Sequence, residues 1–335
     1  MVRKGIWTFI AMRYFCTYFD INYLDRGIAL NRSLEEHLPE FTLFILCMDD
    51  HVEKALSELN LCNVKIIPIK ELESYDPALM AVKPTRSRIE YYFTCTPSLP
   101  LYILKSCMGI DLITYLDADL FFFNNPEPLF QEMDSSSIAI ISHRFPSRLK
   151  HFEEHGVFNV GWLSFRNDFL GLRCLEWWRE RCLEWCYDRV ENGKFADQKY
   201  LDDWPQRFEG TKILGNLGAN VAPWNLEARD CSCNNGKISV NGAELIFFHF
   251  HGLKRVLFRL YDPNFRPYGL RLSEMPQVRR LIFEPYIKAL RISETLIKAF
   301  NRSSKIGIGA GARYNFSRNA KDVLKGTLTR QLVIF

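Results

Sequence analysis

Tyr14–Tyr18, Phe41–Cys47 and Val64–Ile67 are short apolar runs of the kind that suits buried strands. Between them the apolar positions return at the helical period, over Arg26–His37 and again around Asp50–Leu59. Strands alternating with helices predict an α/β fold around a mostly parallel sheet. The alternation continues with an aromatic-rich helical stretch after Arg88, then strands at Ile113–Leu116, Ile138–Ile141 and Asn159–Phe165. His143–His155 reads as a polar, mobile loop over the site. A helix is expected over Gly171–Val190, with Leu172, Leu175, Cys182, Cys186 and Val190 on one face. A short helix should carry Asp197 and Gln198 and end before Pro205. Gly- and Asn-rich loops holding Trp224 and Asn225 run from Gly215 to Gly242, and Glu244–Phe248 reads as a last strand opening onto His249-Phe250-His251-Gly252.

The pattern breaks once, at Ile113–Phe123, where Asp117 and Asp119 interrupt an apolar run that then resumes. Side chains of a strand alternate, so two carboxylates one residue apart aim at the same spot, repel, and call for a cation. Hard divalent ions take such oxygen ligands. A plain turn is the bland alternative, helped by Asn124, Asn125, Pro126 and Pro128. The apolar flanks favour the metal, because an uncompensated charge near a core costs several kcal/mol. In parallel sheets ligands bind beyond the carboxyl ends of the strands, where Asp20 and Asp117 both fall. His249 follows the last strand, with Gly252 allowing close backbone approach, and His251 is expected to point away from the metal side.

The 335 residues suffice for one large α/β domain with an extension, and 47% hydrophobic with 24% charged residues is ordinary for a globular protein. Most of the ten cysteines lie in apolar stretches, which suits a reducing compartment, and no Cys-x-x-Cys doublet repeats, which argues against zinc. Met1–Gly5 and the apolar Ile6–Met12 imitate a signal peptide but lack a cleavage site, so a cytoplasmic location is expected, and the sequons at Asn31, Asn301 and Asn315 read as chance. The net charge of +4 is uneven: Leu270–Phe335 holds 13 Lys and Arg against 4 Asp and Glu. From Gln277 those cations mix with Leu281, Ile282, Ile287, Leu290, Ile297 and Phe300 in a basic amphipathic pattern, suited equally to docking on the catalytic domain or to lying on an anionic membrane. Gly307, Gly309 and Gly311 mark a flexible segment. No nucleic-acid motif accompanies the charge. The chain therefore divides into a catalytic domain over 1–268 and a basic extension over 269–335.

Taken in order, the motifs resemble the retaining glycosyltransferases of family 8, which have the GT-A nucleotide-sugar fold. Asp20-x-Asn22-Tyr23 is similar to that family's first-strand signature, Asp117-Ala118-Asp119 to its Asp-x-Asp, and Phe158-Asn159-Val160-Gly161 to its Phe-Asn-x-Gly strand. Ala196-Asp197-Gln198 and His249-Phe250-His251-Gly252 resemble its Asp-Gln pair and its His-x-x-Gly. The resemblance implies Mn²⁺ or Mg²⁺ on Asp117, Asp119 and His249. It implies a donor held by Thr17, Asp20, Asn22, Arg88, Asp117, Asn159, Gly252 and Lys254 or Arg255. It also sets Asp197 and Gln198 over the transferred sugar, Gln198 as a positioner and Asp197 as the one carboxylate candidate for a stronger role. The family's usual Gly-x-x-Lys-Pro-Trp ending is altered, since Arg255 stands where Lys is expected and Lys254 precedes it.

The implied activity is transfer from a nucleotide sugar, UDP-linked, to a glycan or lipid-linked acceptor in bacterial surface-polysaccharide synthesis. An Asp-x-Asp phosphatase would want Thr or Val where Phe121 stands, near the first strand rather than in mid-chain. A nucleotide-sugar-binding module without activity is the remaining alternative.

Overall fold

The computed structural model describes residues 12–226, 231–240, 242–257, 259–303 and 332–335. The charged start at Met1–Gly5, Asn315 and the Gly307–Gly311 segment lie outside them, as does the side chain of Phe300. Strands β1 (Arg13–Phe19), β2 (Phe41–Cys47), β3 (Val64–Pro68) and β4 (Leu112–Leu116) run parallel. After the short β5 (Leu120–Phe122) come β6 (Ile138–Ser142), β7 (Phe158–Arg166) and β8 (Thr211–Leu214). The sheet order is β3-β2-β1-β4-β7-β6-β8, with β7 running against the other strands.

Alternation along β1 shows why these strands read as continuous apolar runs. Phe15 and Phe19 enter one apolar layer beneath helices Leu24–His37 and Asp50–Leu59, while Cys16 enters the opposite layer with Leu99, Ile103 and Trp178. A sheet covered on both faces has no polar side to show. The helices begin on side-chain caps: Asp49 accepts from the amides of His51 and Val52, each at 2.9 Å, and Asp168 from Gly171 at 2.8 Å.

Several expectations are corrected. The helix predicted to Val190 spans Phe169–Glu184, because Trp185 turns extended, and Val190 is exposed. Asp197 and Gln198 sit in a turn, after Ala196 at φ 45°, and the 3-10 helix begins only at Lys199. The segment read as a mobile loop contains a 3-10 helix, Ser147–His155, with Leu149 buried against Trp224 and Tyr268. Within the span read as loops, β9 (Cys231–Asn234) and β10 (Lys237–Val240) form a hairpin whose turn residues Asn235 and Gly236 have φ 51° and 80°. Asn-Gly is the usual dipeptide for such a turn. β11 (Ala243–Glu244) extends that hairpin, and β12 (Phe247–His249) pairs antiparallel with β5. Asn31 is wholly buried in helix Leu24–His37, out of reach of a glycan.

The apolar side of the C-terminal pattern is docked on the domain. Ile282, Phe283, Tyr286, Ile287 and Leu290 share a buried core with Phe121, Phe248, Phe250 and Phe265, and Phe250 stacks on Tyr286 at 3.7 Å between centroids. Near them β13 (Lys254–Leu257), β14 (Leu260–Asp262) and β15 (Val333–Ile334) form a small antiparallel sheet. Among the described residues no helix is long and apolar enough to cross a membrane.

Phe283 is fully buried against Phe248, Phe250 and Phe265. Truncating it should cost about 3–5 kcal/mol if the tail is part of the core. Urea unfolding of the full chain carrying Phe283→Ala checks this, and an unchanged midpoint would mean that the tail contributes nothing to stability.

Candidate active site

Asp117 ends β4, and the chain turns tightly into β5, with the Leu120 amide donating to Asp117 O at 3.2 Å. β12 lies beside β5 with His249 opposite Leu120, and the Phe250 amide donates to Asp119 O at 3.0 Å. Strand pairing thus delivers the imidazole to the carboxylates. His249 Nε2 lies 3.1 Å from Asp119 Oδ1 and 3.7 Å from Asp117 Oδ2. One ligand atom from each of the three residues falls within 4.8 Å of the others. Two carboxylate oxygens and one imidazole nitrogen fit a divalent ion of the Mn²⁺ or Mg²⁺ type.

Hydrogen bonds set the tautomer. Asn159 Oδ1 accepts from the Gly161 amide at 3.1 Å, which orients its carboxamide. The same oxygen faces His249 Nδ1 at 3.2 Å, so Nδ1–H donates and Nε2 is the nitrogen turned to the carboxylates, carrying a proton in the cation and a lone pair once that proton is lost. Asn159 Nδ2 then donates to His143 Nε2 and to Gln198 Oε1, both at 3.3 Å, while His143 Nδ1–H donates to Val157 O at 3.2 Å. Gly161 is required by space: a Cβ there would lie 2.6 Å from Asn159 Oδ1 and 3.0 Å from His249 Nδ1.

Charge is strongly organised around this cluster. Burial disfavours the His249 cation, but Asp119 and Asp117 outweigh it and raise the imidazole pKa above its ordinary value. Burial, reinforced by Asp119, raises Asp117 against the opposing pull of His249 and of the Tyr115 hydroxyl, which donates to Asp117 Oδ1 at 3.0 Å. Asp119 is pushed up by burial and carried down overall by His249, with His251 and Arg26 assisting.

Two adjoining cavities meet at the cluster. One, of about 510 Å³, runs from Asp20, Asn22 and Arg88 past Tyr92 to Asp117 and Asp119. In it Asp20 accepts from the Asn22 amide at 3.0 Å and the Tyr92 hydroxyl at 3.3 Å, and Arg88 approaches to 3.6 Å. The other, of about 450 Å³, is lined by Asn159, Asp197 and Gln198 and by an aromatic group around Trp224. Tyr18, Phe93, Asp117, His249 and His251 line both. Asp197 is buried, with its pKa pushed up to about 7 by burial and by the charge of Asp117. The Gln198 carboxamide is tied down, its Nε2 donating to His155 O at 3.0 Å.

Other expected residues fall elsewhere. Thr17 is wholly buried on β1 and lines neither cavity, and its hydroxyl has no hydrogen-bond partner among the described residues. Gly252 holds a turn at φ 70° that a Cβ would drive into Asn264. Arg255 is ion-paired with Glu294 of the helix Glu284–Ser303, whereas the charge of Lys254 is felt at His251. His251 lines both cavities instead of pointing away: side chains two residues apart on an extended chain share a side, so His251 follows His249. Sequence reasoning also missed Tyr115, Tyr92 and Arg26. Tyr115 was legible, since it shares a strand face with Asp117 two residues on; Arg26, which donates to Leu253 O at 3.0 Å, depends on a contact 227 residues away.

No family model matches the chain. Over 297 residues it is 31% identical to "Uncharacterized protein YfnF" of Bacillus subtilis (strain 168), covering 86% of this chain and 96% of that one. It is 27% identical over 281 residues to "Uncharacterized protein YfnD" of the same organism, covering 83% and 88%. Among solved structures, the galactosyltransferase LgtC in complex with donor and acceptor sugar analogs aligns with a TM-score of 0.52 at 15% identity, over 83% of this chain and 95% of LgtC. That likeness shows the GT-A fold.

Gly161→Ala should leave the chain folded yet displace Asn159 and His249, lowering Mn²⁺ affinity about 10- to 100-fold by calorimetric titration. Asp197 gives a pH test. Its folded pKa of about 7 exceeds the ordinary carboxyl value, so the folded state binds more protons than the unfolded one. Stability should therefore fall as pH rises from about 4 to about 7. In Asp197→Asn that part of the slope, read by denaturant unfolding, should vanish.

Proposed function

The chain belongs to the same family as YfnF of Bacillus subtilis, and from its fold and its Asp117, Asp119 and His249 cluster we propose that it is a metal-dependent glycosyltransferase. It moves a sugar from a nucleoside-diphosphate donor, a UDP-sugar, to a glycan or lipid-linked acceptor, with retention, in bacterial surface-polysaccharide synthesis. The observation that carries the reading is the position of the two carboxylates and the oriented imidazole at the junction of two cavities.

Asp117, Asp119 and His249 would hold Mn²⁺ or Mg²⁺, which when bound stabilises the negative charge of a departing diphosphate as a Lewis acid. The chain's own groups do the rest. Asp20 and Asn22, braced by Tyr92 and Arg88, hold the uridine end. Lys254 supplies a cation to the diphosphate; Arg255 is engaged by Glu294. Gln198, fixed through Asn159 and His155, positions the sugar. Asp197, when ionised, faces the cationic character that develops at the anomeric carbon. Tyr115 orients Asp117, and Asn159 keeps the His249 lone pair available.

The exposed cations Arg280, Lys288 and Lys298 line the outer side of the docked tail. They support a cytoplasmic protein resting peripherally on the anionic inner face of the membrane, close to a lipid-linked acceptor.

Thermal shifts with a panel of nucleotide sugars test the reading. One UDP-sugar should stabilise the wild type only when Mn²⁺ is present. Asp119→Ala and His249→Ala should each lose that effect and at least about a hundredfold in UDP release. If no nucleotide sugar binds, or the variants respond like the parent, the assignment fails.

A further inference from the structure

The two cavities differ in charge. The first holds Arg88, as a diphosphate-bearing ligand requires. The second is lined by the carboxylates Asp117, Asp188 and Asp197, and among its described lining residues there is no Lys or Arg. Three neighbouring cations are directed elsewhere. Arg144 donates to the backbone oxygens of Asn216 and Ala219. Arg148 donates to Tyr268 O at 2.6 Å, and Lys199 to Glu153 O at 2.6 Å and to Asp202 at 2.8 Å. His143 is held neutral, since one ring nitrogen donates to Val157 O and the other accepts from Asn159.

The remaining wall is aromatic. Phe145 stacks on His143 at 4.7 Å and 11°, and lies nearly parallel to Phe152 at 5.9 Å and 29°. Trp224 closes the inner end, edge-on to His249 at 5.1 Å. Flat apolar rings with few, fixed polar groups are what a pyranose offers its C–H face to. A carboxylate or phosphate brought there would lose its hydration with no lysine or arginine to replace it, and would meet Asp188 and, when ionised, Asp197.

We propose that the aromatic cavity is the acceptor site and selects a neutral sugar ring against its aromatic wall, turning away anionic sugars through Asp188 and Asp197. This rests on the glycosyltransferase reading for the identity of the donor side, but the charge selection is measurable without turnover.

The test uses the full chain, with Mn²⁺ and UDP and again without them. Matched p-nitrophenyl glycosides, glucoside against glucuronide and galactoside against galacturonide, are titrated by tryptophan fluorescence and calorimetry. Each pair differs only in a hydroxymethyl group against a carboxylate. The neutral member of at least one pair should bind about tenfold more tightly than its acid. Asp188 is exposed, so Asp188→Lys should fold normally and close most of that gap by admitting the acid. Phe152→Ala should weaken the neutral glycoside about fivefold and leave UDP affinity unchanged. Equal affinity, a preference for the acids, no binding of either member, or a gap that Asp188→Lys leaves untouched overturns the proposal. Failure of UDP to bind in the same titrations would instead strike the donor reading, since the glycoside comparison stands without it.

Discussion

Two carboxylates beside an apolar sheet, Asp119 buried and Asp117 half-buried, repel each other and lose much of their water, so the fold must answer them. Here the answer is the imidazole of His249, brought by β12 to 3.1 Å from Asp119. Much of the surrounding architecture follows from that meeting. β5 leaves the main sheet to pair with β12, and Asn159 on β7 takes the Nδ1–H that would otherwise compete for the metal side. Gly161 stays bare so that both can fit. A side chain or strand moved at any of these points would leave a buried charge uncompensated, which costs more than the pairing itself gains.

The neutral form of the cluster is a proton-sharing arrangement. Asp119 is held down and His249 held up by each other, while Asp117 is raised by its burial and its neighbour. Such a set competes with protons for any cation that it binds. In the second cavity, Asp197 is raised to about 7 by a dry environment, the usual way in which a carboxyl acquires a pKa suited to work near neutrality. Site polarity and sheet burial are thus two aspects of one design, because the strands that make the core also dehydrate the ligands.

The parts legible in the sequence are those set by short-range physics. Strands β1, β2 and β3 announced themselves as apolar runs because both faces of the sheet are covered, and Asp117 and Asp119 stood out because nothing in packing calls for them. Where periodicity fails, so does the reading. Val190 was drawn into a helix that Trp185 ends, whereas His251 was set on the wrong side although period two already pairs it with His249. The hairpin at Asn235 and Gly236 carried a turn signal that was passed over in a polar stretch. Thr17, expected at the donor, is packed into the core, and the aromatic wall of the second cavity is drawn from segments that only tertiary contacts bring together.

The clamp on β12 has a temporal side. His249 sits 90 residues beyond Asn159, and Phe250, its neighbour, is stacked on Tyr286 of the tail. A chain emerging from the ribosome therefore displays Asp117 and Asp119 long before their partners exist, and the long-range pairings come last. Until β12 is made Asp117 and Asp119 have no imidazole partner, so closure of the cluster waits for the C-terminal part of the chain.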